Sequence, residues 1–497
     1  MRFQILIAFV LICKLSFSQG TIDRIRHLNL KPDITSSKTI HHSVQPLIRY
    51  NPSKKTDLQK FDTLVFDGDT SIFDARFSPK GSNRSFAILP TTDSYLQYDT
   101  ALSYRAAIGF NFEKTWGKWY NRTLLTSGWS LREDYTQTHV AFSPLQNRSS
   151  FWFTDIRTRL GYTPNEMLHV SAGIDNQFFG EGYRSLIQGD QVAPNPFVQF
   201  RVNFWNFEYG LLYQFLHDNN YASKTRDWKY NTTHYLSLNI GSNFNIMLLE
   251  SVIFQSRDST YKRGYEVEYL NPFVFFRPQE YSLGSTDNVL LAIQTSYYFG
   301  SKKHCVYFQL PLDEFVLKEI KNRSKWWANK YGAQLGIKGQ FKKWSYLLEG
   351  NLVRPYTFSH ISNGQNNGSL GLPLGHYLGS NFAELIATAQ IPFKNFQLTL
   401  FSSFYLKGYD DSAISYGGDL YKSYTSHPKE YGNTIGQGMT QRTVSLQANA
   451  STVLDKILLE IYLQAGMQYS WGELGSSTTP LICIGLRNNL FSERKIR

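Results

Sequence analysis

A soluble chain of 497 residues would divide into several domains, yet no Pro/Ser-rich linker or charge run marks a division here. Aromatic residues make up 16%, with 32 Tyr, 36 Phe and 10 Trp, which suits a membrane barrel girdled by Tyr and Trp. The net charge of +12 comes without a basic block or nucleic-acid motif; that argues against nucleic acid and leaves two readings, scattered surface lysines or contact with anionic lipid headgroups or polysaccharide.

Residues 1–18 read as a secretory signal peptide: Arg2 precedes an apolar run from Ile5 to Ile12, and Ser16 and Ser18 precede a cut ahead of Gln19. Ile12 before Cys13 is too bulky for a lipoprotein signal. Export leaves Cys305 and Cys483, which the strand reading places at different membrane depths, so no disulfide is expected. No later run reaches the roughly 18 apolar residues of a membrane helix. A chain that crosses a membrane without such helices must do so as a closed barrel. Residues 19–95 are polar, broken by Pro32, Pro46, Pro52, Pro79 and Pro90, and read as a plug or periplasmic segment. His41 and His42 lack a third ligand at motif spacing, so no metal is assigned, and no cofactor.

From Leu102 the pattern alternates. Leu102, Tyr104, Ala106, Ile108, Phe110 and Phe112 share one face, with Ser103, Arg105, Ala107, Gly109, Asn111 and Glu113 on the other. Eight such hairpins follow one another, ending with the pair around Asp455-Lys456. Their turns are mostly short, and long segments of roughly 131–153, 176–196, 216–232, 255–289, 312–330, 355–382 and 407–442 separate them. Short periplasmic turns and long outer loops orient the chain. A last strand, Pro480 to Phe491, makes 17; evenness requires an ascending strand within about 84–100, which gives about 18. The expected architecture is an all-β membrane protein: one antiparallel outer-membrane β-barrel over 96–491 with a short tail at 492–497.

Five stretches carry a resemblance. They are Gly173 to Ser185 (GIDNQFFGEGYRS); Arg263-Gly264-Tyr265; Tyr269 to Pro272 with Arg277 to Glu280; Asp313-Glu314; and Arg354 to His360 with His376 and Gly379 to Phe382. Together they resemble the Bacteroidota outer-membrane family of the gliding motility protein RemB, itself related to the Wzi capsule-assembly proteins. The resemblance implies a barrel acting in surface polysaccharide attachment or capsule assembly, or in gliding motility and surface protein complexes, without enzymatic activity. The partners implied are outer-membrane lipid and lipopolysaccharide, surface polysaccharide and other outer-membrane proteins. All five stretches fall in long segments or at outer strand ends, so they should meet at the outward mouth. The candidate ligand or partner residues are Asp175, Tyr183, Arg184, Asn271, Arg277, Glu280, Arg354, Tyr356, His360 and Asn381. Polar pairing across the mouth is their expected role, with Tyr183 and Tyr356 available to stack on sugar rings.

Two alternatives come from other classes. His360-Ile361-Ser362-Asn363-Gly364 resembles the His-x-Ser-Asn-Gly stretch of outer-membrane phospholipases, with His360 as base and Ser362 as nucleophile. The Ser-Arg pair of that family does not follow. The second alternative is a general porin, which needs an open lumen where these loops suggest a plugged one.

Overall fold

The computed structural model describes residues 44–45, 84–131, 151–165, 167–190, 192–220, 225–256, 265, 267–270, 287–301, 303–454 and 459–487. The signal peptide, Cys13, the His41-His42 pair, Arg263, Asn271, Arg277, Glu280 and the C-terminal tail lie outside them.

Period-two alternation becomes a single closed sheet. Its strands are β1 (Arg84–Tyr98), β2 (Leu102–Trp116), β3 (Trp119–Ser130), β4 (Phe151–Tyr162), β5 (Leu168–Asp175), β6 (Asn195–Phe204), β7 (Phe207–Asn220), β8 (Thr225–Ile240) and β9 (Phe244–Gln255). The second half comprises β10 (Asn288–Phe299), β11 (His304–Glu314), β12 (Lys330–Phe341), β13 (Trp344–Val353), β14 (Phe382–Pro392), β15 (Gln397–Tyr409), β16 (Met439–Leu454), β17 (Leu459–Gly472) and β18 (Ser477–Arg487). Each strand pairs antiparallel with its neighbours in sequence, and β1 closes the ring on β18 through Asp93↔Arg487 to Tyr98↔Ile482. All eight expected hairpins are present, and β1 is the ascending strand that parity demanded. It starts ahead of the boundary drawn at 96, because Pro90 and the polar run Thr91 to Ser94 hide its alternation.

Side-chain direction decides the solvent on each face. Ile108, Leu335, Leu385, Leu463, Ile482 and Ile484 point outward and are each more than half exposed, whereas their neighbours Ala107, Gln334, Glu384 and Cys483 point inward and are buried. Aromatic rings border this greasy band. On the short-turn side Trp119 contacts Tyr162 (4.5 Å), Phe204 stacks on Phe207 (5.3 Å) and Phe393 on Phe396 (4.5 Å). On the other side Trp129 meets Trp152 at 4.8 Å. Ten residues of one strand separate Trp119 from Trp129, about 26 Å along the membrane normal for a strand tilted by ~40°. That matches the apolar band of about 25 Å of an outer-membrane barrel, and an even, closed antiparallel barrel leaves no edge unpaired in lipid. The protein is an 18-stranded barrel of the outer membrane. Cys305 and Cys483 both face inward, buried and free.

Inside, four strand glycines lie under cross-strand tyrosines: Gly161 beneath Tyr120, Gly210 beneath Tyr235, Gly336 beneath Tyr307 and Gly485 beneath Tyr462. A Cβ there would fall within 2.5 Å of the ring, so glycine is what lets a large side chain lie flat against the wall.

Candidate functional site: the packed lumen and the outer mouth

The segment between β5 and β6 turns into the lumen and is fixed to the far wall by hydrogen bonds. Glu349 on β13 accepts from the backbone N–H of Tyr183 (2.7 Å) and of Arg184 (3.1 Å), and from the Tyr307 hydroxyl (2.8 Å). Gln309 on β11 donates to the Phe179 carbonyl and accepts from Leu186 N–H, while Gln334 on β12 donates to the Arg184 carbonyl. Lys338 reaches the Glu181 carbonyl at 2.7 Å and its carboxylate at 2.8 Å. These buried groups are costly unless satisfied, and here Gln309, Gln334 and Lys338 donate to the incoming segment while Glu349 and Gln309 accept from its backbone. Gly182 explains the Gly-Glu-Gly spacing: a Cβ would sit 2.4 Å from the Glu349 carboxylate. Gly180, at φ +143°, takes a backbone conformation that a side chain would strain. Val44–Gln45 pairs antiparallel with Phe178–Phe179, and Gln188 bridges Phe179 from the other side. Val44–Gln45 thus joins a small sheet built on the plug.

A second segment, between β13 and β14, packs against the first. Gly189 N–H donates to the Leu374 carbonyl, and Leu186 shares an apolar cluster with Phe358, Leu378 and Phe382. Lys229 on β8 donates to Asn366 (2.8 and 2.7 Å), and Asn288 on β10 to the Gln365 carbonyl. Between β6 and β15 the inward wall is therefore largely covered by folded chain.

The seven described candidate residues, Asp175, Tyr183, Arg184, Arg354, Tyr356, His360 and Asn381, all have partners within the protein. Arg184 is 1% exposed, 3.8 Å from Glu384 and over the Tyr377 ring at 4.3 Å. Burial lowers its pKa, but Glu384, Tyr377, Tyr183 and Glu349 outweigh that and raise it. Tyr183 rests on Phe401, Leu347 and Ile386. Asp175 pairs with Arg159 at 3.1 Å. Arg354 donates to the Trp326 carbonyl and lies over Tyr331. Tyr356, expected to be free to stack on sugar, is 0% exposed, with its hydroxyl spent on the Ser415 carbonyl. Asn381 takes a left-handed backbone (φ +57°) and ties β15 to the 410–438 segment through Gly408, Gln437 and Gly436. His360 is 6% exposed beside Tyr424; burial and nearby Lys330 push its pKa down to about 4. It does not activate Ser362, whose hydroxyl donates to Gln255 at 3.0 Å. The base–nucleophile pair of the phospholipase alternative is not assembled.

The opposite wall, β1–β5 with β16–β18, differs. It sets buried Tyr95, Leu124, Phe153 and Tyr462 beside paired charges: Arg105 with Asp93 (3.2 Å), Arg157 with Asp155 (3.2 Å) and Arg487 with Glu460 (2.7 Å). Arg122, Arg157, Gln447, Asn449, Gln464 and Gln468 on it stay partly exposed. Its chemistry was written in the alternation as the polar partner positions, though nothing local separated it from the covered half.

Two features of the outer face were missed. Tyr265 and Tyr269 cover the outward side chains Val252, Phe254, Val289 and Tyr230, so part of the 255–287 segment straps the outside of the wall. Asp287 at the rim accepts from Tyr269 outside (2.8 Å) and from Gln365 inside (3.2 Å). At the mouth, Trp326 and Trp327 both donate their indole N–H to Glu430 (3.2 and 3.0 Å); Trp327 stacks on His427, and Tyr431 is 56% exposed. The doublet Trp326-Trp327 was the available signal.

The fold and lumen define an outer-membrane barrel with an internal plug. No protein-family model and no curated protein matches the chain. Solved structures similar in fold include Pseudomonas aeruginosa OprD (10% identity, 82% of this chain and 96% of that one, TM-score 0.45) and a BenF-like porin from Pseudomonas fluorescens Pf-5 (7%, 81% and 98%, 0.45). Pseudomonas aeruginosa OccK8 (OprE) is a third (8%, 83% and 99%, 0.44). At such identities the likeness concerns strand architecture alone, and function rests on the side chains.

Proposed function

We propose that the protein is a non-enzymatic, constricted outer-membrane channel for small polar solutes. The observation that carries this reading is the asymmetry of the lumen. Among the described residues one half is covered by hydrogen-bonded plug, while the other keeps Arg122, Arg157, Gln447, Asn449 and Gln464 partly exposed on its inward face. Fixed charges that are partly wet stabilise hydrated solutes without dehydrating them. Single-channel recording of the purified barrel tests it. A small, steady conductance is expected, shifted toward cations in Arg122→Ala/Arg157→Ala, since two accessible positive charges leave the lane. A bilayer that stays silent at saturating salt sinks the reading.

A second reading keeps the surface-polysaccharide or motility role of the family resembled. The observation favouring it is the aromatic patch at the mouth, Trp326, Trp327, Tyr424 and Tyr431, edged by Glu430 and Lys429. Aromatic rings with polar rims suit sugar faces. Trp326→Ala/Tyr431→Ala should reduce retained surface glycan, with barrel assembly intact; unchanged retention counts against it.

A further inference from the structure

The outer connection from β11 to β12 bears side chains that the fold leaves without use. Phe315, Val316, Leu317 and Ile320 are 44%, 41%, 56% and 40% exposed. The short helix α1 (Leu317–Lys321) buries none of its residues. Interleaved with them are Lys318, Lys321, Arg323 and Lys325, all exposed. None of the four forms an ion pair among the described residues, and Glu319 is the sole acid from Phe315 to Lys325. A soluble face that is both greasy and cationic would invite aggregation, so the level at which this one sits matters.

Strand length sets that level. β11 and β12 have 11 and 12 residues, which at ~3.4 Å rise and ~40° tilt climb about 26–29 Å from the short-turn side. Phe341 and Trp344 mark that lower border, 64% and 55% exposed. The apolar band is about 25 Å tall, so Phe315 to Lys325 begins where the hydrocarbon of the outer leaflet ends. β8, with 16 residues, climbs about 39 Å, so its outer end stands well above that level. The patch is also continuous with the lipid-facing wall below it, through the outward Leu310, Leu312 and Leu291, the last 39% exposed.

We infer that Phe315 to Lys325 is a docking site for the acidic headgroup of an outer-leaflet lipid, a phosphorylated glycolipid. Phe315, Val316, Leu317 and Ile320 enter the upper acyl layer, and Lys318, Lys321, Arg323 and Lys325 hold the phosphates. Apolar side chains alone would fit any lipid; four unpaired cations at headgroup height select a negative one. The inference stands apart from the channel reading, since it uses neither lumen nor plug.

The test uses the full chain in nanodiscs of zwitterionic phosphatidylcholine doped with lipopolysaccharide, reading lipopolysaccharide retained per barrel at low and high salt. The wild-type protein should enrich it, with loss at high salt. Each cation near an acidic surface contributes about fivefold, so Lys318→Gln/Lys321→Gln/Arg323→Gln/Lys325→Gln should lower enrichment more than tenfold, and the single variants in graded steps. Leu317→Ser/Ile320→Ser should weaken retention of the acylated lipid. Identical enrichment by wild type and the quadruple variant, or equal retention of dephosphorylated lipid, overturns the proposal. Full competition by a soluble, deacylated headgroup also overturns it, by making the patch a site for free anions. Heat-modifiable migration confirms that every variant has assembled.

Discussion

Gly182, Lys338 and His360 show how single residues hold the plug. In Gly182→Val the branched side chain meets the Glu349 carboxylate, where a Cβ alone already lies at 2.4 Å. Overpacking costs about 1–3 kcal/mol, and it displaces the two backbone donors that Glu349 accepts. Conductance should rise and become noisier while the barrel assembles normally. Lys338→Met leaves Glu181 buried without its partner (2.8 Å in the wild type). Removing one member of such a pair costs about 3–5 kcal/mol, and replacing both restores much of it. Lys338→Met should therefore expose the 176–190 segment to protease, and Lys338→Met/Glu181→Gln should recover protection. His360 is held neutral, its pKa pushed down to about 4. Above about pH 6.5 the docked and released states are both neutral and its titration adds nothing. As pH falls from there to about 4 the released state takes up a proton first, so docking weakens by up to about 3 kcal/mol. The accessibility of the 355–381 segment should rise over that window in wild type and much less in His360→Phe; equal pH profiles would exclude His360 as the cause.

At the level of elements, the barrel was legible because lipid on one side and polar lumen on the other impose the same alternation on every strand. Val198, Phe200, Val202 and Phe204 on β6 alternate outward with Gln199 and Arg201 inward, as the pattern in the chain requires. β1 was read only from parity, since Pro90 and Thr91 to Ser94 interrupt the greasy face. Two outer connections, at 99–101 and 473–476, are short, so loop length orients the chain as a tendency across many hairpins. The site was legible as a cluster of motifs and illegible as a packing arrangement. Nothing near Tyr356 in sequence announces that Ser415 will take its hydroxyl, or that Tyr356 and Phe358 will adopt φ +67° and +72°. Such contacts join loops tens of residues apart, and periodicity carries no information about them. The two-residue ladder of Val44–Gln45 on Phe178–Phe179 is a further case. Prolines at 44 and 45 remove its donors, and should free the N-terminal segment to protease without loss of barrel.

For the whole molecule, a closed ring of 18 strands gives a stable frame, while the plug is held by separable polar contacts. Unfolding should then occur in two stages: release of the plug first, seen as a conductance increase or new protease sites, and loss of heat-modifiable migration only at much higher temperature. A single cooperative transition in both readouts would contradict that division. The rim carboxylate of Asp287 bears on how the two parts communicate. It is gripped from the lipid side by Tyr269 and from the lumen side by Gln365, so the external strap and the internal stopper share one fastening. Lifting the strap should therefore loosen the stopper without any strand having to shift. In Asp287→Ala, where the shared carboxylate is gone, labelling of an introduced cysteine at the buried Asn367, which leaves Gln365 in place, should cease to depend on whether Tyr269 is present.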